Sequence, residues 1–452
     1  MLKEKYLSIE PCVVPANQET KLTIRLIKDP SGASSGFEIQ GDCLIYQGEP
    51  CYFQHVNLQF PSPHPLKDNR VAYKVNRKSN TLTINLFFSG EQEHHLCVRA
   101  PVQGQDCLLE TLYVFSLKQD LLGCLPWKGD LHMHSDRSDG RDTPAHVAAA
   151  CRRVGFDFMA LTDHGQFRPS LEAIEAFADV PIDLMMYTGE EVHAPGNPVH
   201  IVHVGGRDSI NEQFNSRDYI EAVRSKIELM PRLPLGVDPY AYASSLWIFE
   251  QIKAGGGLSI FCHPYWLNIY SENQQGYYIS EPLTTILLDQ QPYDALEVLG
   301  GYHLDEAESN NLQIARYHDE RARGRKIPIV GVSDAHGCET GELFGWFYTL
   351  VFSRSPELTD IKQAILDCRS VAVEALPGEV IRVHGPFRLV RYALFLLRTY
   401  FPEHDRCCKE EGEAMLSYIG EVDGLDRQAA AKKIEQLQGQ IAAIQKQLFA
   451  SR

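Results

Sequence analysis

The sequence predicts an α/β protein. Three observations carry that reading. Residues 126–380 alternate strand-like apolar runs with helical patterns, residues 1–125 hold short alternating strands, and residues 381–452 read as helical. The central alternation argues for a parallel sheet or barrel, the first part for a sandwich-like β-rich domain, and the last for a helical C-terminal segment.

In the first part, residues 21–27 place Leu22, Ile24 and Leu26 on one face, and residues 81–87 do the same with Leu82, Ile84 and Leu86. That is the period of a half-buried strand. Asn80 and Ser89-Gly90 read as turns. His94 and His95 fall in a polar run, EQEHH, and are expected to be solvated in a turn.

In the central part the first helix is well marked. Thr143 can cap it, Pro144 suits its first turn, and Gly155 follows its end. Seven apolar runs then read as buried strands carrying polar residues. Residues 127–131 lead into His132-Met133-His134, 156–162 into Asp163-His164, and 183–188 into Gly189-Glu190-Glu191. Residues 199–204 hold His200 and His203, and 258–262 lead into His263-Pro264. Residues 294–296 lead into Glu297, and 327–333 into Asp334-Ala335-His336. In an α/β barrel the strand ends converge on one mouth, so these side chains are expected to meet.

The last part repeats Ile434, Leu437, Ile441, Ile444 and Leu448 at spacings of three and four. The seam spans under three heptads. It fits a homodimer coil or a helix packed on its own chain.

Composition bounds the function. The chain has 452 residues, 44% apolar and 23% charged, the balance of a globular protein. A net charge of -16 argues against a general nucleic-acid-binding surface. A local basic pocket for phosphate stays compatible with it. MLKEKYLSIEP lacks the apolar centre of a signal peptide, and residues 387–401 are interrupted by Arg388, Arg391 and Arg398. The twelve cysteines show no paired metal spacing. A cytoplasmic protein with free thiols and no membrane partner is the expectation.

The spacing has a mechanical reading. Residues two apart on an extended strand point the same way, so His132 and His134 can face one cation while Met133 packs behind. Asp334 and His336 repeat the device. Imidazole and carboxylate together suit Zn, Mn or Fe, and a bridging carboxylate can hold two cations. Of Glu190 and Glu191, opposite in facing, only one can be that ligand; His200 and His203 pose the same choice. Clustered cations would turn bound water into a metal-bound hydroxide able to attack phosphorus or a carbonyl carbon. Asp163 is a candidate for orienting a ligand imidazole, and Glu297 for lining the pocket. Arg137 and Arg168 are candidates for contacting phosphate. Tyr265 and Trp266 would wall the mouth or stack on a leaving group.

These motifs, in this order, resemble the PHP family, named for polymerase and histidinol phosphatase domains. GDLHMHSDRSDG resembles its first motif, ALTDH its second, and GEE with VHIVHVGG its third; FCHP and SDAH follow. The resemblance implies a distorted (β/α)7 barrel over roughly 126–340 holding two or three divalent metal ions. It implies His132, His134, Asp139, His164, Glu191, His200, His263, Asp334 and His336 as ligands. It also implies hydrolysis of a small phosphorylated molecule, a phosphomonoester or nucleotide. The alternatives are hydrolysis of a carboxylic ester, carbamate or amide at the same metals, and a non-catalytic metal-binding module. Where the family often has Asp after TDH and Asn or Tyr-Asn after the Glu297 strand, this chain has Gly165 and Gly300-Gly301.

Overall fold

The computed structural model describes residues 6–27, 36–57, 69–267, 278–301, 308–338, 343–420 and 424–450. The chain divides into two units: Met1–Cys124 with Leu394–Pro402 and Gln440–Arg452, and Leu125–Ala393 with Glu403–Gly439.

In the first unit, strands Gln18–Leu26 and Thr81–Phe88 pair antiparallel, with Leu82 opposite Ile24 and Ile84 opposite Leu22. All four side chains are buried, as their alternation dictates. Leu7–Glu10 and Tyr73–Asn76 complete this sheet. A second sheet runs Val13–Pro15, Gln105–Leu117, Gln92–Val102, Tyr52–Asn57, Arg70–Val71. It buries Phe53, Leu96, Val98 and Val114. Two sheets with one apolar face each make a sandwich. The chain end joins it: Cys12 donates its N–H to the Leu448 carbonyl at 2.8 Å, and Ala450 donates to Val13 at 2.9 Å.

His94 is not solvated. It lies within strand Gln92–Val102 and is buried, with Nε2 2.8 Å from Ser116 Oγ and Nδ1 3.1 Å from His55 Nε2. Every residue of EQEHH is polar, so the usual apolar mark of an inward position is missing there.

Seven strands form the centre of the second unit: β1 (Leu125–Asp130), β2 (Phe158–Ala160), β3 (Gly189–Val192), β4 (Ile201–Val204), β5 (Leu258–Phe261), β6 (Ala295–Leu299) and β7 (Ile329–Gly331). β1 pairs with β2, and β3 to β7 pair in sequence order. Glu191 N–H donates to Thr162 O at 3.1 Å and Gly165 N–H to Glu191 O at 2.9 Å, joining β2 to β3. Asp334 N–H donates to His132 O at 2.8 Å and His134 N–H to Ala335 O at 3.0 Å, joining β7 to β1. These bonds join the two seams of the distorted (β/α)7 barrel. Leu131, Phe158, Val202, Val204, Ile260, Cys262 and Val332 fill it.

Helices fill the connections. α1 (Pro144–Arg153) follows β1, and Thr143 Oγ1 accepts the His146 N–H at 3.3 Å as its cap. α2 (Arg168–Ala176) follows β2, α3 (Arg217–Leu229) and α4 (Pro239–Ala254) precede β5, and α5 (Glu281–Gln290) and α6 (Glu308–Ala322) flank β6.

Two features differ from the sequence expectation. The run 183–188 is not the strand that carries Glu191; Met185–Tyr187 is a separate strand beside β2, and β3 begins at Gly189. β4 runs antiparallel to both β3 and β5. Only residues 193–200 connect β3 to β4, too few for a parallel crossover, so the chain must turn back. The start of β4, not its end, therefore lies at the mouth.

Beyond β1, strands Phe347–Ser353, Ser370–Glu374 and Arg382–His384 extend the sheet, with α7 (Leu358–Leu366) between the first two. The chain ends in α8 (Phe387–Thr399), α9 (Phe401–Ile419), α10 (Gly424–Leu437) and α11 (Gln440–Leu448). Ile434, Leu437 and Ile441 of the heptad-like seam are buried within the chain. In the second unit, buried Arg152 places Nε 2.6 Å from Glu411 and Nη1 3.3 Å from Asp157. Among the described residues, no helix is long and apolar enough to cross a membrane.

Candidate metal centre

The carboxylate of Glu191, fully buried on β3, is the hub. Imidazole nitrogens of His164, His200, His193, His263, His132 and His134 lie 2.7, 3.0, 3.2, 3.3, 3.4 and 3.6 Å from it. Asp334 Oδ1 is 2.8 Å from His134 Nε2 and 3.3 Å from His132 Nε2. Asp139, half exposed, reaches His164 and His336, each at 3.3 Å. All nine residues the resemblance implies as ligands thus meet at one mouth.

The alternatives left open in the sequence separate cleanly. Glu191 and His200 face the cluster. Glu190 and His203 pair with each other behind it, at 3.2 Å, where Glu190 also accepts from Ser209 Oγ, Ile210 N–H and Asn211 Nδ2. Adjacent strand residues face opposite sides, which makes this division obligatory.

Strand ends aim the ligands. His263 and Asp334 take positive φ of 27° and 52°, a strained turn-out that points both side chains inward. Asp163 accepts the Ser135 N–H at 2.9 Å and the Ser138 N–H at 3.1 Å, together with both hydroxyls. It fixes the loop between His134 and Asp139. Glu297, buried, lies 3.3 Å from His132 Nδ1 and accepts the His263 N–H at 3.0 Å. A Cβ at Gly300 would stand 1.9 Å from Glu297 Oε1, so glycine there leaves the carboxylate its room. Asp130 accepts the N–H groups of His132 at 3.2 Å and Ser333 at 3.1 Å, tying β1 to β7; burial pushes its carboxyl up to about 7.

Arg137 and Arg168 are both engaged by carboxylates. Arg137 pairs with Glu172 at 2.9 Å and Asp136 at 3.1 Å, and Arg168 with Glu175 on its own helix at 2.7 Å. Trp266 sets its ring edge-on to His263, 5.6 Å between centroids. His193 escaped the sequence reading, although its position two residues after Glu191 is the same signal that marks His132 and His134.

The electrostatics suit cations. Burial drives His200 down to about 3 and His134 down to about 4, which keeps both neutral, while nearby carboxylates raise His132, His164, His263 and His336, the mark of a centre that attracts positive charge. Burial opposes charge on Glu191, yet His193, His164 and His132 hold it well below the carboxylate range. Among the described residues, buried His134 Nδ1 has no hydrogen-bond partner. Overlapping groups of three or four donors recur through the cluster, among them His134, Asp139, His164 and His336, and His132, Glu191 and His263. The donor chemistry and the unpartnered buried atom fit divalent cations.

The PHP domain family matches residues 130–370. A 40-residue stretch is 52% identical to the DNA polymerase/3'-5' exonuclease PolX of Bacillus subtilis (strain 168), covering 9% of this chain and 7% of that protein. Among solved structures, the chain resembles a two-domain Bacteroides vulgatus protein containing a predicted PHP-like metal-dependent phosphoesterase, with 22% identity and a TM-score of 0.38 over 55% of this chain and 65% of the other. It also resembles an amidohydrolase from Chromobacterium violaceum, with 19% identity and a TM-score of 0.28 over 47% and 88%.

Proposed function

Because the chain belongs to the PHP domain family, we propose that it is a metal-dependent phosphoesterase acting on a small phosphorylated molecule. The observation that carries the reading is the ring of six imidazoles about the buried Glu191 carboxylate. Two or three divalent ions, Zn, Mn or Fe, would be held by His132, His134, Asp139, His164, Glu191, His200, His263, Asp334 and His336. Ions bound there would supply a water activated as nucleophile and would offset charge on the substrate oxygens.

The protein's own residues do the positioning. Glu297 accepts a proton-bearing Nδ1 of His132, which aims the opposite nitrogen at the centre. Asp163 holds the loop that delivers Asp139 to the outer edge. Asp139 and His336 are partly exposed, so substrate approaches from their side.

One observation favours a second reading, hydrolysis of a carboxylic ester, carbamate or amide. Arg137 and Arg168, the nominated phosphate contacts, are each engaged by surface carboxylates. Metal analysis with parallel assays on p-nitrophenyl phosphate and p-nitrophenyl acetate separates the readings. Metal-stimulated release from the phosphate is expected. Release from the acetate alone would transfer the proposal to carbonyl substrates, and bound metal without turnover of either would end it.

A further inference from the structure

We propose that His193 is a metal ligand, the third imidazole of a set gathered on one oxygen of Glu191. This rests on the reading of the centre as metal-binding. By closest contact, the six nitrogens around that carboxylate fall three to each oxygen, and His193 Nε2 also lies 3.2 Å from His164 Nδ1 where the two sets meet. On Oε2 lie His164 Nδ1 at 2.7 Å, His132 Nε2 at 3.4 Å and His134 Nε2 at 3.6 Å. On Oε1 lie His200 Nδ1 at 3.0 Å, His193 Nε2 at 3.2 Å and His263 Nε2 at 3.3 Å. A carboxylate that bridges two cations can give one oxygen to each. The cation on Oε1 would therefore face three imidazoles and one carboxylate, the four-donor set of a closed tetrahedral zinc site.

The local structure holds His193 for that role. It follows Glu191 by two residues, so both side chains leave the strand on one side. Its N–H donates to Asn211 Oδ1 at 3.0 Å, and Asn211 Nδ2 donates to the Glu191 carbonyl at 3.1 Å and to buried Glu190 at 2.9 Å. Its ring stacks on His200 with centroids 3.7 Å apart. Glu190 and Asn211 thus fix the backbone while His200 fixes the ring. His193 is a third exposed, so replacing it opens no hole in the core.

The full-length apoprotein is titrated with Co2+, followed by visible absorption and by competition with a chelator. The wild type is expected to take up at least two ions, one giving the intense band of a tetrahedral site. His193→Ala and His193→Gln are expected to weaken one class of ion by about tenfold or more. Both should lose the intense band, keep the second class, and show unchanged thermal unfolding without metal. An unaltered band and unaltered affinities in both variants would overturn the role of His193 and leave the metal centre standing. A wild type that takes up no Co2+ would overturn the reading of the centre itself.

Discussion

The carboxylate of Glu297 lies 3.3 Å from Nδ1 of His132, and both side chains are fully buried. That bond fixes which nitrogen of His132 faces the centre. Glu297→Gln keeps the shape and removes the charge. It should weaken metal binding by about 10–100-fold, the usual effect of losing a group behind a ligand. Chelator competition measures it; unchanged affinity would mean the bond does not orient the ring.

His132→Ala and Asp334→Ala remove groups at the heart of the cluster. Turnover should fall by about a hundredfold or more while the fold persists. Substantial activity in both variants, with normal circular dichroism, would count against the site.

Gly300→Ala places a methyl where Glu297 Oε1 now sits, 1.9 Å from the ideal Cβ. Either the carboxylate swings away or the strand end shifts, at a cost of about 1–3 kcal/mol. A lowered melting temperature together with weakened metal binding is expected. Loss of one without the other would show that Glu297 moves freely.

Arg152→Leu removes the cation beside the buried Glu411 carboxylate, 2.6 Å away, and takes one partner from Asp157, which keeps His404 at 2.8 Å. Removing one partner of a buried pair costs about 3–5 kcal/mol. Denaturant unfolding of the full chain checks it. A loss below about 1 kcal/mol would mean that water reaches those carboxylates.

Burial, with His55 and His95 nearby, pushes the His94 imidazole from 6.5 down to about 3. The unfolded chain therefore takes up a proton below pH 6.5 that the folded sandwich refuses until about pH 3. Stability from this group is complete above pH 6.5 and falls by about 1.4 kcal/mol per pH unit beneath it. His94→Gln should flatten that slope. Identical slopes in urea melts of wild type and variant at pH 7 and pH 5 would refute the assignment.

Much of the centre was legible because its signals are local. His132-Met133-His134 and Asp334-Ala335-His336 announce themselves by the strand period, and the structure brings both pairs together. Glu191-Val192-His193 obeys the same rule, but His193 stands outside the apolar run 199–204 that marks His200 and His203. The reversal of β4 departs from the parallel expectation, and the shortness of residues 193–200 is its physical cause. What the sequence hid is long-range. Nothing beside Arg152 points to Glu411, and nothing beside His404 points to Asp157, 2.8 Å away. Such pairs are set by how helices return to the barrel, and a linear pattern carries no trace of that.

The two backbone bonds that tie residues 448–450 to Cys12 and Val13 bear on biosynthesis. During translation residues 7–117 emerge some 330 residues before residues 448–450, roughly half a minute at about 10 residues per second. Until then the edge at Val13 offers open amide and carbonyl groups to any neighbouring strand. Nascent chains halted before residue 440 should consequently be cleaved in the sandwich faster than the chain carrying residues 448–450, and equal protection would show that the sandwich matures without waiting for that strap.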